Sequence, residues 1–62
     1  MKVKKGCGYW DITKYPYGGY FKRSQENLNC TIIEDRQGQH EHEKVVKFED
    51  NTIGVVNEKY FI

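Results

Sequence analysis

Sixty-two residues carrying ten Lys/Arg against nine Asp/Glu, a formal net charge of +1, give one domain, 1–62, with one small core. Apolar residues make up 37% of the chain and aromatic ones 15%, yet no apolar run reaches the roughly 18 residues a membrane-spanning helix needs. A near-neutral balance also argues against strong sequence-independent nucleic-acid binding, which grows with each phosphate neutralised.

The charges are unevenly spread. Residues 1–23 hold Lys2, Lys4, Lys5, Lys14, Lys22 and Arg23 against Asp11 alone, a balance of +5, and the remaining 39 residues balance at −4. Such asymmetry marks either a polar contact surface or charges that intermingle on folding. "MKVKK" is basic but leads into "GCGYWD", not an apolar segment, so no secretory leader is read and a cytoplasmic location is expected. In a reducing cytosol Cys7 and Cys30 stay thiols, with a disulfide the less favoured alternative.

In chain order, Met1–Lys5 reads as an optional edge strand, guarded by lysines, ahead of the five that form the barrel. "YWDIT" (9–13) reads as a strand with Trp10 and Ile12 on one face and Tyr9 and Asp11 on the other. "YPYGGYFKR" (15–23) reads as a loop, since Pro16 fixes its φ and Gly18–Gly19 permits positive φ. "LNCTIIED" (28–35) is a strand with Leu28, Cys30 and Ile32 on one side and Thr31 and Ile33 on the other. "RQGQHEHE" (36–43) is polar loop around Gly38. "KVVKF" (44–48) and "TIGVV" (52–56) form a hairpin across "EDNT", where Asp50 and Asn51 tolerate left-handed backbone. Gly54 inside a strand signals a bulge or a close approach. "NEK" suits one 3₁₀ turn before a last strand, "YFI". No segment shows sustained helical spacing, so the expected fold is all-β: a small five-stranded closed barrel, closure removing exposed edges.

The stretch Gly54-Val55-Val56-Asn57-Glu58-Lys59-Tyr60-Phe61 resembles the end of an SH3 domain, where a glycine and two apolar residues lead into a 3₁₀ turn, a tyrosine and a final strand. "TIIED" followed by "VVKFEDNTIGVV" is similar to bacterial or phage SH3-like, KOW-like and Tudor-like barrels, over roughly residues 9–62. The resemblance implies an SH3-like barrel, with Tyr60 as its one match to a family ligand contact. It does not carry over proline-rich peptide binding. Asn57 stands where those domains have a proline, Glu43-Lys44-Val45 where they have a tryptophan, and "KYPYGGYFKR" lacks their acidic first loop.

The aromatic and basic run Lys14, Tyr15, Tyr17, Tyr20, Phe21, Lys22 and Arg23 is the leading candidate site, with Trp10 or Tyr60 beside it and 36–43 as a second wall. Tyr and Arg are enriched at protein contacts, and bases stack on rings while cations meet phosphates. The plainer alternative is that the rings cover an undersized core. His40 and His42 at i, i+2 are a weak metal signal, because structural zinc sites bring close cysteine pairs and these cysteines are 23 positions apart. Cys30 reads as a buried apolar residue and Cys7, between glycines, as the more exposed one. The acids Glu26, Glu34, Asp35, Glu41, Glu43, Glu49, Asp50 and Glu58 form either a negative face for a basic partner or a solvated surface. No metal, cofactor, catalytic residue or small-molecule substrate is expected, nor any membrane partner. The expected function is a non-enzymatic protein-recognition module. By resemblance, it is a phage- or mobile-element-encoded modulator of a host protein; RNA or DNA binding by the same surface is the alternative.

Overall fold

The computed structural model describes residues 1–36 and 38–62. They form six strands, β1 (Lys2–Val3), β2 (Gly8–Asp11), β3 (Tyr20–Arg23), β4 (Leu28–Asp35), β5 (Glu43–Phe48) and β6 (Ile53–Asn57), with 3₁₀ turns at Gly38–His40 and Glu58–Tyr60. All pairings are antiparallel, in the order β1-β4-β5-β6-β2-β3. The sheet curls into a half-barrel of the small-β-barrel kind.

Two expectations need correction. There are six strands rather than five, and the sheet does not close into a barrel. The added strands are β1, the edge strand read ahead of the five, and β3, read from sequence as the end of a loop. The turn residues Pro16, Gly18 and Gly19 all precede it, so Tyr20–Arg23 is left to pair with Gly8–Asp11. The expected last strand shrinks to one bridge, Val3 to Phe61.

Alternation along β4, β5 and β6 builds the core. Cys30 opposes Phe48, Ile32 opposes Val46, and Val46 opposes Gly54, all on the concave face. Val3, Cys7 and Val56 complete the buried cluster, and Tyr9, Leu28, Ile32, Tyr60 and Phe61 pack around it. Between Ile32 and Glu34 the register slips by one residue, a bulge that turns Ile33 half out to solvent. Gly54 is a close approach rather than a bulge. A Cβ there would lie 2.9 Å from Phe48 Cε2 and 3.0 Å from Tyr9 Cδ2, the two rings that pack on each other above it.

The turns follow their residues. Asn51 takes φ 70°, and the Asp50 carboxylate accepts from the Thr52 N–H at 3.1 Å. Asn57 Oδ1 accepts from the Lys59 N–H at 3.0 Å and starts the C-terminal 3₁₀ turn. Cys7 is buried, contrary to expectation. Gly6 at φ 84° lets the backbone double back, and the buried Ser24 hydroxyl accepts from the Cys7 N–H at 2.9 Å, which turns the thiol inward.

Candidate binding site

Adjacent valines, Val45–Val46 and Val55–Val56, place one apolar side chain on each face of the sheet. Val46 and Val56 enter the core. Val45 and Val55 belong to the other, convex face, where the pairing Glu34–Val45–Val55–Trp10–Phe21 forms one row across five strands. At about 4.8 Å per strand the row is roughly 19 Å long.

Its aromatic end is exposed. Trp10 is 52% and Phe21 57% accessible, and their rings meet edge-on at 5.4 Å between centroids. They sit directly opposite each other on β2 and β3. The Ile12 N–H donates to Ile53 O and the Ser24 N–H to Cys7 O, which fixes the ladder's phase. Trp10 therefore turns its backbone groups toward β6, and Trp10–Phe21 is a non-hydrogen-bonded pair, the kind with the closest side chains. Gly8 makes room for it: a Cβ there would lie 2.5 Å from Phe21 Cζ.

Shallow clefts flank the row on both sides and share Val55. One, of about 310 Å³, is lined by Gly8, Trp10, Phe21, Gln39, His42 and Asn57, among others. The other, of about 340 Å³, lies among Ile12, Tyr15, Glu34, Arg36, Val45 and Val55. A larger recess of about 510 Å³ opens among Met1, Asn29, Thr31, Lys47, Glu49 and Asn51. It contains Phe48 as its sole ring, already committed to the core, so the smaller clefts offer more aromatic surface to a partner.

The loop walls are held by polar contacts. Glu58 N–H donates to His42 O at 2.7 Å, and His42 Nδ1 lies 3.0 Å from Glu58 Oε1. The bond to Glu58, with the charges of Glu41 and Glu58, raises the His42 pKa above the ordinary imidazole value. His40 Nδ1 lies 2.6 Å from Glu43 Oε1. The two histidines thus face separate carboxylates, and among the described residues no metal-ligating group of three assembles. Of the polar loop read over 36–43, Gln37 lies outside the described residues.

The residues singled out from sequence do not share one place, and Arg23 is turned to Gly6 O, to which its Nη1 donates at 2.8 Å. Trp10, Phe21 and Tyr15 line the convex clefts. Tyr20, Lys14 and Lys22 line a recess of about 250 Å³ around Asp11, because strand alternation sends Tyr20 and Lys22 to the face opposite Phe21 and Arg23. Tyr17, 92% accessible, stands at the loop tip. Tyr60 is elsewhere. Loop 12–19 leaves β2 beside Ile53, whereas Tyr60 follows Asn57 at the other end of β6, packed against the core with Lys59 Nζ 5.1 Å from its ring centroid. Tyr60 therefore lies away from the 12–19 loop, at the end of the sheet where Gly8 pairs with Arg23 and where Tyr60 O accepts from the Lys4 N–H.

Lys22 is engaged, its Nζ 2.7 Å from Asp11 Oδ2. Burial by itself would raise the Asp11 pKa. The Lys22 ammonium and the Thr13 hydroxyl and N–H outweigh that and hold it at about 2. Among the described residues, Lys2, Lys4, Lys5, Lys14 and Arg23 form no ion pair, while Arg36 and Lys44 pair with Asp35, Glu43 and Glu58. No ion pair among the described residues therefore joins residues 1–23 to residues 24–62. Burial raises both thiol pKa values, which disfavours the thiolate a nucleophile requires.

Sequence reasoning missed Val45, Val55 and Gly8 as parts of this surface, whereas His42 belongs to the 36–43 segment read as its second wall. The adjacent valines were the available signal, since an apolar residue on both faces means that both faces are covered. Comparison with protein-family models, curated proteins and solved structures finds no match, so the site's own geometry carries the functional reading.

Proposed function

We propose that this chain is a non-enzymatic protein-recognition module of SH3-like architecture that binds its partner across the convex row. The observation that carries this reading is the exposed Trp10–Phe21 pair over Val45 and Val55, between clefts walled by the 12–19 loop and by His42. Rigid aromatic rings around a partly desolvated floor are the anatomy of an interface centre. The SH3-like reading draws support from the Asn57-capped 3₁₀ turn after β6 and from the bridge joining β1 to the C-terminal segment. No helix among the described residues is long and apolar enough to cross a membrane.

A nucleic-acid partner is the second reading, favoured by the unpaired cations of residues 1–23 beside exposed rings. A tagged pulldown with and without nuclease separates the two. Recognition of a protein gives a nuclease-resistant partner whose capture is lost with Trp10→Ala and Phe21→Ala. Nuclease-sensitive capture, with a salt slope reduced by Lys14→Ala, overturns the protein reading.

A further inference from the structure

We propose that the free edge of β3 captures an acidic extended segment of a protein partner as an added antiparallel strand. The inference rests on the protein-recognition reading and names how part of that partner is held.

β3 is an edge. Among the described residues it pairs with β2 alone, and all four of its residues are exposed. The ladder phase decides which groups are free. Tyr20 and Lys22 exchange backbone bonds with Asp11 and Tyr9, so the N–H and C=O groups of Phe21 and Arg23 point outward. Gln25 Nε2 covers the Arg23 carbonyl weakly, at 3.3 Å. That leaves both backbone groups of Phe21 and the N–H of Arg23 for a new strand.

Proteins usually blunt such an edge with proline, a bulge or an outward lysine. β3 has no proline and its register is unbroken. Its lysine, Lys22, is drawn onto the concave side by Asp11 at 2.7 Å and does not guard the edge. The opposite edge differs, since β1 is only Lys2 and Val3, is followed by Lys4 and is bridged to Phe61. The fold leaves β3 open.

Charge selects the occupant. Arg23 ends the strand without a carboxylate partner, its Nη1 donating only to Gly6 O at 2.8 Å, and Lys4 and Lys5 lie beside that end, where Gly6 N–H donates to Ser24 O and Lys5 N–H to Asn27 Oδ1. A second copy pairing antiparallel about Phe21 would set Arg23 against Gly19 and leave these cations uncompensated, whereas an acidic segment neutralises them. In antiparallel addition the residue opposite Arg23 precedes by two the residue opposite Phe21. The favoured pattern is therefore acidic, any, apolar: the acid meets Arg23, and the apolar side chain extends the row past Phe21.

The test uses the intact protein and a capped hexapeptide, threonine–glutamate–threonine–valine–threonine–glutamate. Amide exchange followed by NMR is expected to show the Phe21 and Arg23 N–H groups fast in the free protein and slowed at least about fivefold by saturating peptide, while Tyr20 and Lys22 are protected in both states. N-methylation of the valine is expected to weaken binding about tenfold, since its N–H faces β3, and N-methylation of the threonine before it to leave affinity within about twofold. Replacing both glutamates by lysine is expected to abolish binding. Three results would overturn the proposal: no protection of Phe21 and Arg23, equal effects of the two N-methyl groups, or undiminished binding of the lysine peptide. A concentration-dependent dimer that itself protects Phe21 would also overturn it, in favour of self-pairing. If the peptide perturbs Trp10, Val55 and His42 without protecting those amides, the edge proposal fails while the convex-row reading stands. That reading fails separately, if Trp10→Ala leaves partner capture intact.

Discussion

The β4–β5–β6 sheet and the β2–β3 hairpin use the same kinds of residue for opposite ends. In the sheet Val46 and Val56 are fully buried and Phe48 is 6% accessible, closing a core with Val3, Cys7 and Cys30. In the hairpin Trp10, Tyr20 and Phe21 are all more than half exposed. A chain this small has little apolar area with which to offset chain entropy, so leaving three large rings in water is costly unless something else covers them. The sheet supplies the fold and the hairpin supplies the surface.

The sharpest way to break the comparison is one substitution made twice. Phe48→Ala is expected to cost about 3–5 kcal/mol and to leave the domain largely unfolded, because it opens a cavity beneath Gly54 and Tyr9. Phe21→Ala removes the same atoms from the hairpin and is expected to cost only about 1 kcal/mol, the edge-on contact with Trp10, while abolishing partner capture. Urea denaturation of the two variants measures the difference. Equal costs would mean that the hairpin rings belong to the core.

A smaller effect separates the two close-packed glycines. Gly54→Ala forces a methyl against Phe48 and Tyr9, both held in place, and is expected to destabilise by about 1–3 kcal/mol. Gly8→Ala meets only the exposed Phe21 ring, which has solvent to move into. Its expected signature is a changed Trp10 fluorescence and weakened binding, with stability altered by no more than about 1 kcal/mol. Thermal melts and emission spectra of both variants test it.

How legible each region was follows from the same contrast. β4 was readable because alternation reports burial on one face, β5 and β6 because runs of β-branched residues mark strands, and turn residues at Asp50 and Asn51 bound the hairpin. Tyr20–Arg23 was misread as loop because all four residues are exposed, so no burial pattern marks them. Its pairing with Gly8–Asp11 is a tertiary fact that local sequence does not encode. The aromatic cluster was visible as composition, but its division between two faces depended on β3 being a strand. The burial of Cys7 was hidden for a similar reason: it rests on Ser24, 17 residues away.

Acid should probe the hairpin selectively. Asp11 is buried, and its pKa is held at about 2 against an ordinary 3.8 by Lys22 and Thr13. A carboxylate depressed on folding stabilises the native state above its unfolded pKa and loses that contribution as pH falls through the folded one. Between about pH 4 and pH 2 the domain is therefore expected to lose on the order of 1–2 kcal/mol through Asp11. Asp11→Asn should flatten that segment of the stability–pH profile, measured by urea midpoints at each pH.

The smallest expected effect lies at the far wall of the convex row, at His42. Its bond to Glu58 and the charge of Glu41 favour the imidazolium, so its pKa is raised and the ion pair is present below the ordinary imidazole value and lost as pH rises through the folded pKa. The side chain is largely exposed, so little stability follows. The effect falls instead on the wall beside Trp10 and Phe21, which His42 lines. An NMR titration is expected to place the His42 midpoint above that of an unpaired histidine and Glu58→Gln to lower it, with the shifts of Val55 and Trp10 following the same midpoint. If those neighbours stay still while His42 titrates, the wall is fixed by the Glu58 N–H bond to His42 O alone, and proton concentration has no hold on the site.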